Sequence, residues 1–134
     1  MYRVLLWGDH RRRDLLALCA LKVELEGLLP EALVLIASFD IWQSALLFRP
    51  HISVISHLFG RRNALLISDH IKRNNGLVAV LPTEGRPSTE GQITWATQGF
   101  DASLCDLYMA WSRTTADLIP PEALEALAIV YGRG

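Results

Sequence analysis

Leu77-Val78-Ala79-Val80-Leu81 decides the fold. The run is apolar at every position, where a strand with one wet face would alternate apolar and polar residues, so both faces of its sheet must be covered. Asn74-Asn75-Gly76 supplies a left-handed stop before it, and Pro82-Thr83-Glu84-Gly85 a turn directly after it. A strand buried on both sides belongs to a parallel sheet sandwiched by helices, and that requirement organises the rest of the chain.

Upstream, residues 62–73 carry Ala64, Ile67 and Ile71 at helical spacing, and Ile52 to Ile55 reads as the strand before them. Ala32 to Ala37 is a further strand. Asp40, with Gln43 three residues on, has the pattern of a capping box opening a short helix through Trp42, Ala45 and Leu46, which Arg49-Pro50 closes. The chain starts with a strand from Tyr2 to Trp7, the turn Gly8-Asp9-His10, and a helix over residues 13–29 on which Leu16, Cys19, Ala20 and Val23 recur before Pro30 ends it. Downstream, Ser88 caps an expected helix through Ile93, Trp95 and Ala96. Leu107 to Trp111 is a fifth strand, Ser112 caps a helix to Leu118, Glu122 to Leu127 follows Pro120-Pro121, and Ala128-Ile129-Val130-Tyr131 is a sixth strand. The reading is α/β: one domain over residues 1–134, a parallel sheet of about six strands flanked by helices.

Composition agrees. With 134 residues, 51% of them apolar, and 13 Lys+Arg against 14 Asp+Glu, the chain is long and apolar enough for a core, which excludes disorder. No apolar stretch approaches the length of about 18 residues that a membrane span needs, and the N-terminus runs straight into charge, unlike a signal peptide. The expected location is the cytoplasm. Cys19 and Cys105 lie in apolar settings, as buried thiols do in a reducing compartment, and no metal site is expected. A net charge of −1 does not suggest a nucleic-acid binder.

In an open parallel sheet, ligands meet the turns at the carboxyl ends of the strands, where helix N-termini offer N–H groups and a positive dipole end. Those turns hold Asp9, His10 and Arg11-Arg12-Arg13, then Ser38 and Asp40, then His57, Gly60, Arg61 and Arg62, then Thr83, Glu84, Gly85 and Arg86, and finally Ser112 and Arg113. Arg11, Arg12, Arg13, Arg61, Arg62, Arg86 and Arg113 are seven of the 13 basic residues, so this rim should attract anions although the chain is slightly acidic. The arginines either grip phosphate or solvate a helix start. His10 and His57 offer a general base or a donor to a ligand oxygen, or are turn residues. Glu84, between Pro82 and Gly85, is an acid pre-set at a strand end, suited to base or hydrogen-bonding work; otherwise it caps the following segment or pairs with Arg86. Asp9 either contacts ligand or caps the first helix. His51 and His70 read as packing or surface residues, and Trp42 and Trp95 as core. The chain contains no G-x-G-x-x-G, no G-x-x-x-x-G-K-[ST], no G-x-S-x-G and no H-E-x-x-H, which removes the usual dinucleotide, P-loop, hydrolase-elbow and zinc-protease readings.

The turn Leu81-Pro82-Thr83-Glu84-Gly85, with His57-Leu58-Phe59-Gly60-Arg61-Arg62-Asn63 and the opening Gly8-Asp9-His10-Arg11-Arg12-Arg13-Asp14-Leu15, resembles the N-terminal half of bacterial surface-carbohydrate biosynthesis proteins. The resemblance implies a Rossmann-like domain of a GT-B glycosyltransferase, related in architecture to the retaining transferases that add 3-deoxy-manno-octulosonic acid in capsule and O-antigen assembly. It implies the acceptor side of such an enzyme, acting with a nucleotide sugar and a glycan acceptor and without a bound cofactor. Glu84 and His57 would be catalytic, and Asp9, His10, Arg11, Arg61, Thr83, Gly85 and Arg86 would bind substrate. In that family a strand running into a Gly-x-Pro-Arg-like turn leads to a second domain, whereas here Tyr131-Gly132-Arg133-Gly134 stands in its place, so a missing C-terminal domain is expected and the isolated chain is expected to be inactive. The rival readings are a non-catalytic module that binds a nucleotide, a glycan or a partner domain, and half of a sugar-nucleotide epimerase. A domain shaped to face another would leave apolar surface, from which self-association is expected.

Overall fold

The computed structural model describes residues 1–56, 62–82, 102–110, 113, 117 and 128–131. Its strands are β1 (Tyr2–Gly8), β2 (Ala32–Ser38), β3 (Ile52–Ile55), β4 (Leu77–Val80), β5 (Leu107–Ala110) and β6 (Ala128–Tyr131). The helices are α1 (Arg11–Leu28), α2 (Trp42–Ala45) and α3 (Arg62–Arg73), with single 3-10 turns at Phe39–Ile41, Leu46–Phe48 and Ala102–Leu104. The strands form one sheet in the order β2-β1-β3-β4-β5-β6, and every neighbouring pair is parallel. This is the doubly wound, Rossmann-like arrangement in which the strand order turns back between β1 and β3. The expected helices after Ser88 and Pro120-Pro121 lie outside the described residues; of the one expected after Ser112, only Arg113 and Asp117 are described, and both are helical.

Alternation along β1 explains the two layers. Val4 and Leu6 point one way, with Val34, Val54 and Ala79, and pack under Leu18, Leu21 and Leu25 of α1. Leu5 and Trp7 point the other way, with Ile55 and Val78, and pack under Ala64, Ile67 and Ile71 of α3. Burying each of these large side chains contributes about 2 kcal/mol, so β1, buried from Val4 to Trp7, anchors both layers. Trp7 stacks on Phe39, ring centroids 5.9 Å apart, which fixes the turn after β2 against the core.

Several local expectations are revised. Leu16, Cys19, Ala20 and Val23 face outward on α1, with Leu16 82% and Val23 67% exposed; the buried side is Asp14 and Leu18. The helix has apolar residues around most of its circumference, so spacing alone yields two equally regular stripes. The contact at Gly8 favours one of them, because a Cβ there would lie 3.2 Å from Leu18 Cδ1. Cys19 is therefore exposed and not buried; Cys105 is buried, and burial pushes its thiol up to about 11, which keeps it protonated at neutral pH. The short helical stretch after β2 is capped by Ser38, whose Oγ accepts from the Asp40 N–H at 3.2 Å, and not by Asp40 itself.

The stop before β4 forms as expected. Asn75 takes the left-handed conformation (φ 63°), Gly76 N–H donates to Ile71 O at 2.9 Å and Asn75 N–H to Lys72 O at 3.1 Å, the two bonds of a Schellman motif. Gly76 serves a different purpose from the left-handed residue: a Cβ on it would fall 2.5 Å from Ile71 Cγ2 and 3.1 Å from Ile71 O. Beyond β4, Asp106 joins three elements. Its carboxylate accepts from Lys72 Nζ of α3 (2.6 and 2.8 Å) and from the Val78 N–H of β4 (2.8 Å) immediately before β5 begins.

Candidate functional site

The carboxyl ends of β1 and β3 lie side by side at the point where the strand order reverses, since Leu6 pairs with Val54 in the register of these two strands. Gly8 ends β1, and the backbone turns through Asp9 and His10 into the N-terminus of α1. His10 is the N-cap residue, with extended backbone and no side-chain cap bond. Asp14 does that work from within the helix. Its Oδ2 accepts from the Asp9 N–H (3.0 Å) and the His10 N–H (2.9 Å), reaching back over the first turn as the acid of a capping box does.

The carboxylate of Asp14 is 2% exposed and also accepts from Arg13 Nε at 2.8 Å. Burial alone would raise the Asp14 pKa. The hydrogen bond from Arg13, the N–H groups of His10 and Asp9, and the positive charge of Arg13 together outweigh it and hold the carboxyl below its usual 3.8. Arg13 reaches Asp9 as well, with Nη2 3.6 Å from Oδ2, so one guanidinium lies between two shielded carboxylates. Arg11 and Arg12 occupy the same first turn and are exposed to solvent. The site can therefore offer an anion the Arg11 and Arg12 side chains at the positive end of an 18-residue helix, beside one guanidinium already shared by two carboxylates.

Ser56 is the residue that sequence reasoning overlooked. It directly follows β3, and continuing the register by two residues sets it beside Gly8. Its side chain is 4% exposed, and among the described residues Oγ has no hydrogen-bond partner. A buried hydroxyl left unpaired at a strand end is costly, and a ligand atom at the switch point would satisfy it. Its sequence signal is slight: a serine at the end of an otherwise apolar strand. Asp14 had a better one, an acid four residues after the turn, at reach-back spacing.

Of the expected site residues, the structure brings Asp9, His10 and Arg11 together on the turn after β1. His57, Arg61, Thr83, Glu84, Gly85 and Arg86 lie outside the described residues. The chain positions that precede them, Ser56 and Pro82, follow adjacent parallel strands paired at Ile55 and Val80, and so belong to the same sheet edge as Gly8. Among the described residues no three His, Cys, Asp or Glu side chains are grouped to hold a metal ion, and no helix is long and apolar enough to cross a membrane. No protein-family model, curated protein or solved structure matches the chain.

Proposed function

We propose that the carboxyl edge of the sheet binds an anionic, sugar-bearing ligand, and that the chain acts as the acceptor-side domain of a glycosyltransferase in cell-surface polysaccharide biosynthesis. The observation that carries the binding reading is the switch point between β1 and β3, with Arg11 and Arg12 exposed beside it and the unpaired Ser56 hydroxyl buried against it. Glycosyl transfer rests on the resemblance of the three turn motifs. In that role Glu84 is the base or acceptor-binding carboxylate and His57 its catalytic companion, while Asp9, His10, Arg11, Arg61, Thr83, Gly85 and Arg86 hold hydroxyl and anionic groups. Transfer of this kind needs positioned acid and base groups and neutralisation of a leaving nucleotide. The cytoplasm, where free thiols persist, is the compartment that suits it.

A second reading is favoured by the state of the described carboxylates. Asp14 is engaged in holding α1, and the Asp9 carboxylate lies toward Arg13, so this turn offers cations and hydrogen-bond donors more readily than a base. A non-catalytic binding module would need no more. Titration with UDP-glucose followed by NMR separates the readings: shifts at residues 9–12 and 56, with transfer to a glycan acceptor once a second domain is supplied and lost in Glu84→Gln, support the transferase. Binding without transfer selects the module, and no shift at the carboxyl edge ends both. The outward apolar residues of α1, together with half-exposed Leu33 and Leu35 on the edge strand β2, support self-association. A strictly monomeric species on gel filtration at high concentration would end that part.

A further inference from the structure

The opposite, amino edge of the sheet contains a cavity of about 760 Å³, within the range of pockets that hold small molecules. It is bordered by Arg3 at the start of β1 and by His51 and Gly76, the residues just before β3 and β4. Arg3, Arg49, His51 and His70 contribute to its lining, Trp42 and Ile71 give it an apolar wall, and among the described residues no Asp or Glu borders it. We propose that this cavity is a second binding site, separate from the carboxyl edge, for a small molecule that carries an oxyanion group on a flat, largely apolar body.

The lining is built and held. Arg3 Nε donates to the carbonyl oxygens of Phe48 (3.0 Å) and Arg49 (2.9 Å), which ties the turn before β3 to the start of β1. The bonds use Nε, so the Nη groups of Arg3 remain for a ligand. The Arg3 backbone N–H donates to His51 Nδ1 at 2.9 Å; the neutral ring then carries its proton on Nε2, a donor. Tyr2 packs edge-to-face with this imidazole, ring centroids 6.2 Å apart, and limits its rotation.

Arg49 adds a separate observation. It adopts a left-handed backbone (φ 51°, ψ 64°), a conformation that side-chain-bearing residues avoid and that Gly would take without strain. An arginine held there keeps a charge beside the cavity at a cost to the backbone, and among the described residues no carboxylate pairs with Arg3 or Arg49. Two guanidinium groups and an imidazole donor match the oxygens of a phosphate or carboxylate, and the indole of Trp42 matches a ring.

The test uses the whole chain with adenosine 5′-monophosphate as probe, and adenosine and inorganic phosphate as its separated halves. NMR should show the monophosphate shifting the His51 and His70 imidazole and Trp42 indole signals, with each half weaker by about tenfold or more. Arg49→Gly should weaken the monophosphate by about tenfold while leaving the melting temperature unchanged or higher, because it removes charge and strain together. Arg11→Ser should leave this binding unaltered, which separates the cavity from the carboxyl edge. The proposal is overturned if none of the three probes shifts these signals at millimolar concentration, if phosphate alone binds as well as the monophosphate (an adventitious ion only), or if Arg49→Gly binds like the parent.

Discussion

At the carboxyl edge of the sheet Arg13 lies between two shielded carboxylates, whereas at the amino edge Arg3 donates to carbonyl oxygens and lines a cavity with Arg49, two imidazoles and an indole. The first edge carries more charge and cancels much of it internally. The second carries less, and no carboxylate among the described residues matches it. A count of arginines per turn is therefore a poor measure of the charge left free there; what matters is how many of them already have a partner.

The largest effect that would sharpen this contrast is at Asp14. Asp14→Asn removes the charge and one of the two acceptor oxygens that join two N–H groups to Arg13, and should lower the stability measured by urea unfolding by about 3 kcal/mol. Its pH dependence has a definite sign. The folded-state pKa lies below the unfolded value near 3.8, so the carboxylate contributes stability above that pH and loses it as the pH falls through 3.8 toward the folded value. Asp14→Asn should flatten acid unfolding in that window, and an unchanged acid limb would break the account of this edge.

Gly76→Ala comes next, with a cost of about 2 kcal/mol as the new methyl is driven into Ile71 at the amino edge; a neutral result would mean that the cavity border yields more readily than its geometry allows. Lys72→Met removes one partner from the Asp106 junction and should cost about 1 kcal/mol, accompanied by faster amide exchange at Val78. Smallest is the exposed pair: Arg11→Ser with Arg12→Ser should change stability by less than about 0.5 kcal/mol, yet reduce ligand shifts at the carboxyl edge and their sensitivity to salt. A large loss of stability there would show that these arginines hold the fold rather than await a ligand.

What was legible in the sequence follows from how local each determinant is. The uninterrupted run at Leu77 to Val80 and the clean stripe Ala64, Ile67 and Ile71 are read within a few residues, and both match the structure, as do all six strands. The buried side of α1 was not legible, because its apolar residues surround the helix and the sheet it meets is assembled from distant strands. The Lys72 to Asp106 junction spans 34 positions, and the tie from Arg3 to Phe48 spans 45, beyond any pattern that periodicity can expose. The candidate site divides the same way: the turn of Asp9, His10 and Arg11 is contiguous and legible as a turn, whereas Ser56 gains meaning only from the strand beside it.

The parallel pairing of β1 with β2 bears on synthesis. The first 38 residues contain a strand, its crossover helix and a partner strand paired over seven positions, from Tyr2 with Ala32 to Gly8 with Ser38. A ribosome delivers this unit whole while the other side of β1 still lacks β3. The nascent chain thus has a nucleus to condense on early, and a bare hydrogen-bonding edge at β1 until residue 52 leaves the exit tunnel.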